Sequence, residues 1–241
     1  MNRNLTLIPL RITPYSDKNS ILSAYSREMG KVSCLLPAGA GRESRRRRAL
    51  LMPFCPVRCQ VSVSPGRDVM PMREPVAWPP LPLVSADPMR CVMALFVSEV
   101  LQCVLRQSES EPVLFDFIAD SAVRLNSGQT SVANFHIVFL IRLLGYLGVA
   151  PDLGGYRPGM VFDMADACFR ATAPLHGRFL MPDEAAALAR LGRIGWRNAH
   201  IYKYTRAQRA RVLDVILQYY TLHVADLSGL KSVDVLRGLF D

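Results

Sequence analysis

The first 75 residues alternate hydrophobic and polar positions in short runs that predict β-strands. In the clearest run, residues 57–63, every second position is apolar, so one face of a strand is buried and the other is wet. Turn-forming residues at 28–31 and 65–68 separate neighbouring runs. Five short strands predict a small barrel or sandwich. The predicted strands cover residues 5–12, 21–25, 32–36, 57–63 and 69–73.

After residue 87 the apolar spacing becomes helical. Asp87 and Pro88 form a typical helix start, and Thr205 with Gln208 forms a capping-box pattern. Residues 151–180 are rich in Gly and Pro, with a short hairpin expected around 161–169. Five or six helices predict a bundle. The predicted helices cover residues 89–105, 113–125, 131–147, 182–194, 205–223 and 232–240.

A proline-rich break separates the two patterns. The run Trp78-Pro79-Pro80-Leu81-Pro82 disfavours both sheet and helix, because proline lacks the backbone donor. We therefore expect an α+β protein with a β-domain at residues 1–80 and an all-α helical bundle at residues 81–241.

The sequence predicts a cytoplasmic protein without a membrane segment or a metal site. Its N-terminus has no signal-peptide pattern, and the two most apolar stretches, 91–105 and 131–149, are interrupted by polar residues typical of buried helices. The six cysteines form no Cys-x-x-Cys pair, which favours reduced core residues over a zinc site.

The net charge of +9 is concentrated at the start of the chain. Residues 1–80 carry 13 basic and 5 acidic residues, and 25 of the 29 basic residues in the whole chain are arginines. Arginine binds phosphate in a bidentate manner and stacks on bases, so this balance favours nucleic acid or another anionic partner.

The densest basic cluster follows the third predicted strand. We interpret it as a loop that contacts nucleic-acid phosphates beside the barrel, although such charge runs are also found as solvated loops or nuclear-type signals. Tyr15, Tyr25 and Phe54 are candidate rings for base stacking. Each is also a plausible core residue, and for Phe54 the core role is preferred. The predicted phosphate contacts are Lys31, Arg42, Arg45, Arg46, Arg47 and Arg48.

A second basic stretch covers residues 190–211 and contains no acidic residue. It is either a second nucleic-acid surface or dock for an acidic peptide, or the wet face of two amphipathic helices. Enzyme signatures are absent: Gly39–Arg42 lacks the Lys-Ser/Thr ending of a phosphate-binding loop, and the four histidines are widely separated. We therefore expect a non-catalytic protein without a cofactor.

Several segments in order resemble the bacterial recombination mediator family RecO. The resemblance covers nearly the whole chain and rests on the combined order and spacing of individually weak motifs. The matching segments are Tyr15-Ser16-Asp17-Lys18, Tyr25 to Lys31, Gly39-Ala40-Gly41-Arg42, Ala49 to Pro53, Gly66-Arg67-Asp68, Leu114 to Phe117, Ala133 to His136 and Leu230 to Leu236.

The resemblance implies an N-terminal OB-fold and a C-terminal helical domain. It also implies that the protein binds single- and double-stranded DNA, anneals complementary strands without ATP, and works with RecR to load RecA onto strands coated by single-strand-binding protein (SSB). The helical domain would contact the acidic C-terminal tail of SSB. From charge and neighbouring apolar residues, Arg142, Arg193 and Arg197 are candidates for that contact. The wider set, which is either a second basic surface or the SSB-tail site, is Arg142, Arg193, Arg197, Lys203, Arg206 and Arg209.

One feature departs from many members of the family. They carry a four-cysteine zinc module in the helical domain, whereas residues 150–180 contain only Cys168, so we expect a variant without zinc. Two other functions stay open on the sequence: an RNA-binding or ribosome-associated barrel, and a protein-interaction scaffold whose basic segment is only solvated.

Overall fold

The computed structural model describes residues 1–39, 41–105, 109–127 and 132–238. Within them, the N-terminal region contains the strands β1 (Asn2–Ser16), β2 (Asn19–Ser26), β3 (Gly30–Pro37), β4 (Val57–Ser62) and β5 (Val69–Ala77). These strands form a closed barrel with the order β1-β2-β3-β5-β4. The parallel pair β3–β5 is the one exception to antiparallel pairing in this barrel. This topology is OB-like and confirms the predicted barrel.

The barrel closes because β1 is long enough to pair on both sides. Its first half pairs with β4, from Asn2 opposite Ser62 onward, and its second half pairs with β2. Alternate side chains then point inward and fill the barrel. Gly30, with φ of 70°, permits the tight turn between β2 and β3 that the sequence predicts. Buried inward residues include Leu5, Leu7, Leu22, Cys34, Val57, Val61, Met70 and Met72.

The chain divides into two compact units, Met1–Gln129 with Leu230–Leu236, and Thr130–Gly229 with Arg237–Asp241. The first unit contains the barrel together with α1 (Arg42–Leu50), α2 (Pro82–Ala86), α3 (Pro88–Val104) and α4 (Pro112–Ser127). Residue 80, the expected domain boundary, lies inside this unit, and that boundary stays a prediction. As predicted, Asp87 caps α3 and accepts hydrogen bonds from the backbone N–H groups of Met89 and Arg90.

The second unit contains three longer helices and a small sheet. A 3-10 turn at Val132–Asn134 leads into α5 (Phe135–Tyr146), and another lies at Ala199–Ile201. The predicted start of α5 at Ser131 is outside the described residues. The unit continues with β6 (Val161–Asp163), β7 (Cys168–Arg170), β8 (Phe179–Leu180), α6 (Pro182–Leu191) and α7 (Arg206–His223).

The helical region also contains a small sheet. Strands β6 to β8 form a three-stranded sheet in the order β7-β6-β8, and the predicted hairpin at 161–169 is its first pair. The capping box predicted at Thr205 and Gln208 is present at the start of α7. The last helix, α8 (Ser232–Gly238), begins where predicted, and the predicted end at Phe240 lies outside the described residues.

A buried carboxylate organises residues 161–178. Asp163 accepts backbone hydrogen bonds from Ala165 (2.9 Å) and Asp166 (3.1 Å), and Arg170 Nε lies 2.8 Å from its other oxygen. His176 Nε2 is 3.3 Å from Asp163 Oδ1. Burial raises the pKa of this carboxyl group, but the hydrogen bonds outweigh burial and hold the pKa below its usual value. Hydrogen bonds and ion pairs to Asp163 thus hold this part of the chain together.

The core of the second unit contains a fully buried histidine on α5. His136 is 1% exposed, and burial together with the charge of Arg209 lowers its pKa to about 3. Close by in sequence, Asn134 donates hydrogen bonds to the carbonyl oxygens of Ala199 (2.8 Å) and Tyr202 (2.7 Å). The predicted core stripe of α5 is confirmed, since Phe135, Val138, Phe139 and Leu143 are all buried.

Candidate nucleic-acid interface

The arginine-rich cluster forms a helix, α1, and the prediction of a loop is wrong. Arginine has a high helix propensity, and no β-branched residue interrupts the run. Glu43 lies in the first turn, where it complements the helix dipole, and Arg47 and Arg48 lie in the last. The helix buries none of its residues, so its side chains are presented to solvent rather than packed into a core.

The arginines of α1 differ in how they are engaged. Arg47 Nη2 lies 3.0 Å from Glu43 Oε1 in an i, i+4 ion pair, and the guanidinium of Arg48 donates to the carbonyl oxygen of Gly39. Within the described residues, the side chains of Arg42, Arg45 and Arg46 have no hydrogen bond or ion pair. These three stand at i, i+3 and i+4 and therefore share one face of the helix. The helix thus offers three adjacent cations to an external anion.

A cleft of about 580 Å³ lies between α1 and the barrel. Its cations come from Arg46 and Arg47 on α1 and from Arg73 on β5, and Glu43 and Glu74 also contribute to its lining. The rest of the lining is largely apolar, including Leu35, Leu50, Pro71 and Met72. The cleft therefore combines a charged rim for phosphate with apolar surface for a base or sugar.

Two predicted contact residues are covered by other parts of the same unit. Lys31 is half-buried, and its Nζ donates a hydrogen bond to the carbonyl oxygen of Gln102, at 3.1 Å. Tyr25 is fully buried and stacks on Phe115, with ring centroids 6.2 Å apart. Residues from α3 and α4 thus cover the outer faces of β2 and β3 at these positions. The interpretation of Tyr25 as an exposed stacking ring is wrong.

The other two aromatic candidates differ in their exposure to solvent. Phe54 is completely buried, which confirms the preference for a core role, whereas Tyr15 is 68% exposed. The sequence reasoning missed Trp78, which is 49% exposed and has the guanidinium carbon of Arg58 3.8 Å from its ring centroid. Its exposure could not be inferred from the proline-rich segment in which it stands.

Some of the basic side chains in the second basic stretch bind other groups of the same protein. Arg193, Arg197 and Lys203 are exposed. Arg206 donates to the carbonyl oxygen of Arg237 at 2.9 Å. Arg209 is half-buried between the carbonyl oxygen of Tyr204 (3.1 Å) and Asn134 Oδ1 (3.4 Å), and burial lowers its pKa. Arg209 therefore ties α7 to neighbouring backbone.

Arg142 lies on the exposed side of α5. A side-chain carbon at Gly195 would meet its Nη2 at 2.9 Å, so the glycine makes room for the guanidinium. This contact brings one of the predicted basic residues next to the backbone that also carries Arg193 and Arg197.

A second groove, of about 450 Å³, lies between α6 and α7. Leu188, Leu191, Val212 and Val215 give it an apolar floor, and the acids Asp183 and Glu184 also line it. Arg211 forms an ion pair with Glu184. Lys203 is the predicted site residue that lines this groove; Arg190 and Arg211, which the basic stretch contains, line it as well.

Across the described ranges, no three His, Cys, Asp or Glu side chains converge to form a metal site. In the same part of the chain, no helix combines the length and apolar character needed to cross a membrane. Burial raises the pKa of the thiols of Cys34, Cys55 and Cys59 to about 12, so these cysteines are neutral core residues at physiological pH.

Comparison with known proteins gives matches over both halves of the chain. The family model for the recombination protein O N-terminal region matches residues 1–74, and that for the C-terminal region matches residues 85–233. The chain is 36% identical over 238 residues to the DNA repair protein RecO of Porphyromonas gingivalis, and 34% identical over 233 residues to that of Phocaeicola vulgatus. Both alignments cover 97% of each chain. The OB-like barrel, the helical region and these matches together assign the chain to the RecO family of DNA repair proteins.

Proposed function

We propose that this protein is a non-catalytic recombination mediator that binds single- and double-stranded DNA and anneals complementary strands without ATP. Together with RecR, it would help load RecA onto single strands coated by SSB. The observation that carries the DNA-binding part is α1, an exposed arginine helix on an OB-like barrel in a family of DNA repair proteins.

The chemistry of α1 suits phosphate and carries no base specificity. The guanidinium groups of Arg42, Arg45 and Arg46 lie on one helical face, where they bind neighbouring phosphates and release the counterions condensed on DNA. Because such contacts ignore sequence, they serve any break or gap that needs repair. RNA carries the same phosphates, so matched DNA and RNA oligonucleotides distinguish this proposal from an RNA-binding role.

Annealing follows from charge neutralisation. Two complementary strands repel each other through their phosphates, and a dense cationic surface lowers that repulsion until base pairing holds them together. No bond is made or broken in a strand, so the step needs no nucleotide hydrolysis and no cofactor. Zinc is likewise not required by this proposal, since the hydrogen bonds that Asp163 accepts hold residues 161–178 together.

The groove between α6 and α7 is our candidate for the SSB tail. An acidic, hydrophobic peptide would place apolar side chains on Leu188, Leu191 and Val215 and its carboxylates near Arg190 and Lys203. Arg209 is not part of this candidate site, because its guanidinium donates to the carbonyl oxygen of Tyr204 and to Asn134 Oδ1. The same proposal has the protein work in the cytoplasm, at the nucleoid.

The proposal is tested with complementary oligonucleotides coated with SSB, in the absence of ATP. We expect the protein to accelerate annealing, and the variant Arg45→Ala/Arg46→Ala to lose most of this acceleration. The matched control Arg157→Ala/Arg178→Ala removes two exposed charges from the second unit and should retain it. Annealing that is no faster with the protein than without it would refute the proposed function.

A further inference from the structure

Trp78 is a large exposed aromatic side chain at the end of the last barrel strand. It follows β5 directly, its backbone N–H donates to the carbonyl oxygen of Pro56 at 2.9 Å, and its side chain is 49% exposed. Val76, two residues earlier on the same strand, is 58% exposed. A large ring held in water by ordered backbone is typical of a binding surface rather than of a core.

Arg58 packs against the exposed ring of Trp78. Its guanidinium carbon lies 3.8 Å from the centroid of the Trp78 ring, which is the geometry of a cation–π pair. Arg58 stands on β4 directly opposite Val76 on β5, so the pair is anchored on two neighbouring strands. The arrangement presents a preformed planar stack that carries a positive charge.

Trp78 directly follows β5, the strand that also borders the cleft beside α1. Arg73 of β5 lines the cleft together with Arg46 and Arg47, and Trp78 is five residues further along the same segment. At about 3.3 Å per residue, the two points are at most about 17 Å apart. Between them Glu74 is the one acidic residue of the segment, so cations predominate from α1 to Arg58.

We propose that Trp78, with Arg58 stacked against it, is a platform for an unpaired base of a single strand whose phosphates contact α1. This inference rests on the proposed DNA-binding function and adds the residues that would distinguish single strands from duplex. Every base has a π-face that can stack on indole without sequence preference, whereas the bases of a duplex are already stacked on each other.

Charge favours nucleic acid over a protein partner as the occupant. Arg58 lies against the ring and Arg73 lines the neighbouring cleft, and arginine binds phosphate in a bidentate manner and stacks on bases. Trp78 lies in residues 75–84, between the two family-model matches, whereas Arg58 lies within the first of them.

Binding of single-stranded and duplex oligonucleotides of equal length by the full chain tests the inference. Trp78→Ala should weaken single-strand affinity by about 5- to 150-fold and leave duplex affinity unchanged within twofold. Trp78→Phe keeps a ring and should retain most of the single-strand affinity. Arg45→Ala/Arg46→Ala should weaken both substrates, because it removes phosphate contacts that do not depend on base exposure.

Fluorescence gives an independent readout, since the chain has two tryptophans. In Trp196→Phe the indole of Trp78 is the sole reporter, and stacking of an oligo(dT) base should quench its emission. In Trp78→Phe the remaining Trp196 should respond little. Thermal unfolding of each variant establishes that it is folded.

The outcomes separate the two proposals. If the wild-type protein binds DNA and the α1 variant weakens binding, but Trp78→Ala changes nothing, the platform is refuted and the proposed function stands. Equal loss on single strands and duplex would also refute the platform, because stacking predicts a selective loss. If the wild-type protein binds no DNA at low salt, the proposed function fails, and the platform fails with it.

Discussion

The salt dependence of DNA binding gives a quantitative prediction for α1. The perturbation is Arg45→Ala/Arg46→Ala, which removes two exposed guanidinium groups that have no hydrogen bond or ion pair within the described residues. The helix buries no side chain, and alanine is at least as good a helix former as arginine. We therefore expect the free energy of unfolding to change little, so that a binding defect reports on DNA contact.

The magnitude follows from counterion release. Each phosphate contact on a single strand contributes about 0.7 to the slope of log affinity against log salt, so loss of two contacts lowers the slope by about 1.4. Between 50 and 200 mM salt, wild-type affinity should consequently fall about sevenfold more than the affinity of the variant. On duplex, with about 0.9 per contact, the difference should be about twelvefold.

Fluorescence anisotropy with a labelled oligonucleotide at four or more salt concentrations measures both slopes. The control Arg157→Ala/Arg178→Ala has the same net charge as the variant but leaves α1 intact, so its slope should equal that of the wild type. If the control and the α1 variant lose the same slope, the effect is one of overall charge. That result would refute the assignment of phosphate contacts to this helix.

Three further predictions concern stability and thiol chemistry. The pKa of His136 is about 3 in the folded protein and near 6.5 in the unfolded chain, so the unfolded chain binds the proton more tightly and stability falls as the pH drops below 6.5. Lowering the pH from 7.5 to 5 should reduce the free energy of unfolding, measured in urea, by about 2 kcal/mol. His136→Leu should remove this pH dependence. The thiols of Cys34, Cys55 and Cys59 should resist iodoacetamide at pH 8 when folded and react in urea; rapid labelling of the native protein would contradict their burial. Asp163→Asn should lower the free energy of unfolding by about 2 to 3 kcal/mol, because it removes the charge of a buried carboxylate that accepts two backbone hydrogen bonds; an unchanged urea midpoint would argue against this stabilising role.

The barrel was predictable because its information is local. Period-two alternation in residues 57–63 and the turn at Gly30 determine which side of each strand is buried, and five such strands leave few ways to hide an apolar face. The starts of α3 and α7 were likewise encoded by Asp87 and Thr205, whose side chains cap their own helices. The confirmed elements are therefore those that neighbouring residues specify.

The candidate site was harder because it depends on distant residues. Tyr25 has the outward position that a stacking ring needs, but Phe115, 90 positions away, covers it. Arg209 fits a wet helical stripe, yet Asn134 and the carbonyl of Tyr204 hold its guanidinium. No periodicity within β2 or α7 reports such partners. The helical state of the arginine cluster was missed for a different reason, since a charge run lacks the apolar spacing by which helices are recognised.

Hydrogen exchange of the full chain, with and without a saturating single-stranded oligonucleotide, tests most directly whether α1 is the DNA-binding element. The backbone amides of Arg42–Leu50 are on an exposed helix and should exchange readily in the free protein. We predict that DNA slows exchange across this helix more than across any segment of the second unit. Protection confined to the second unit, with α1 exchanging at the same rate in both samples, would contradict the account.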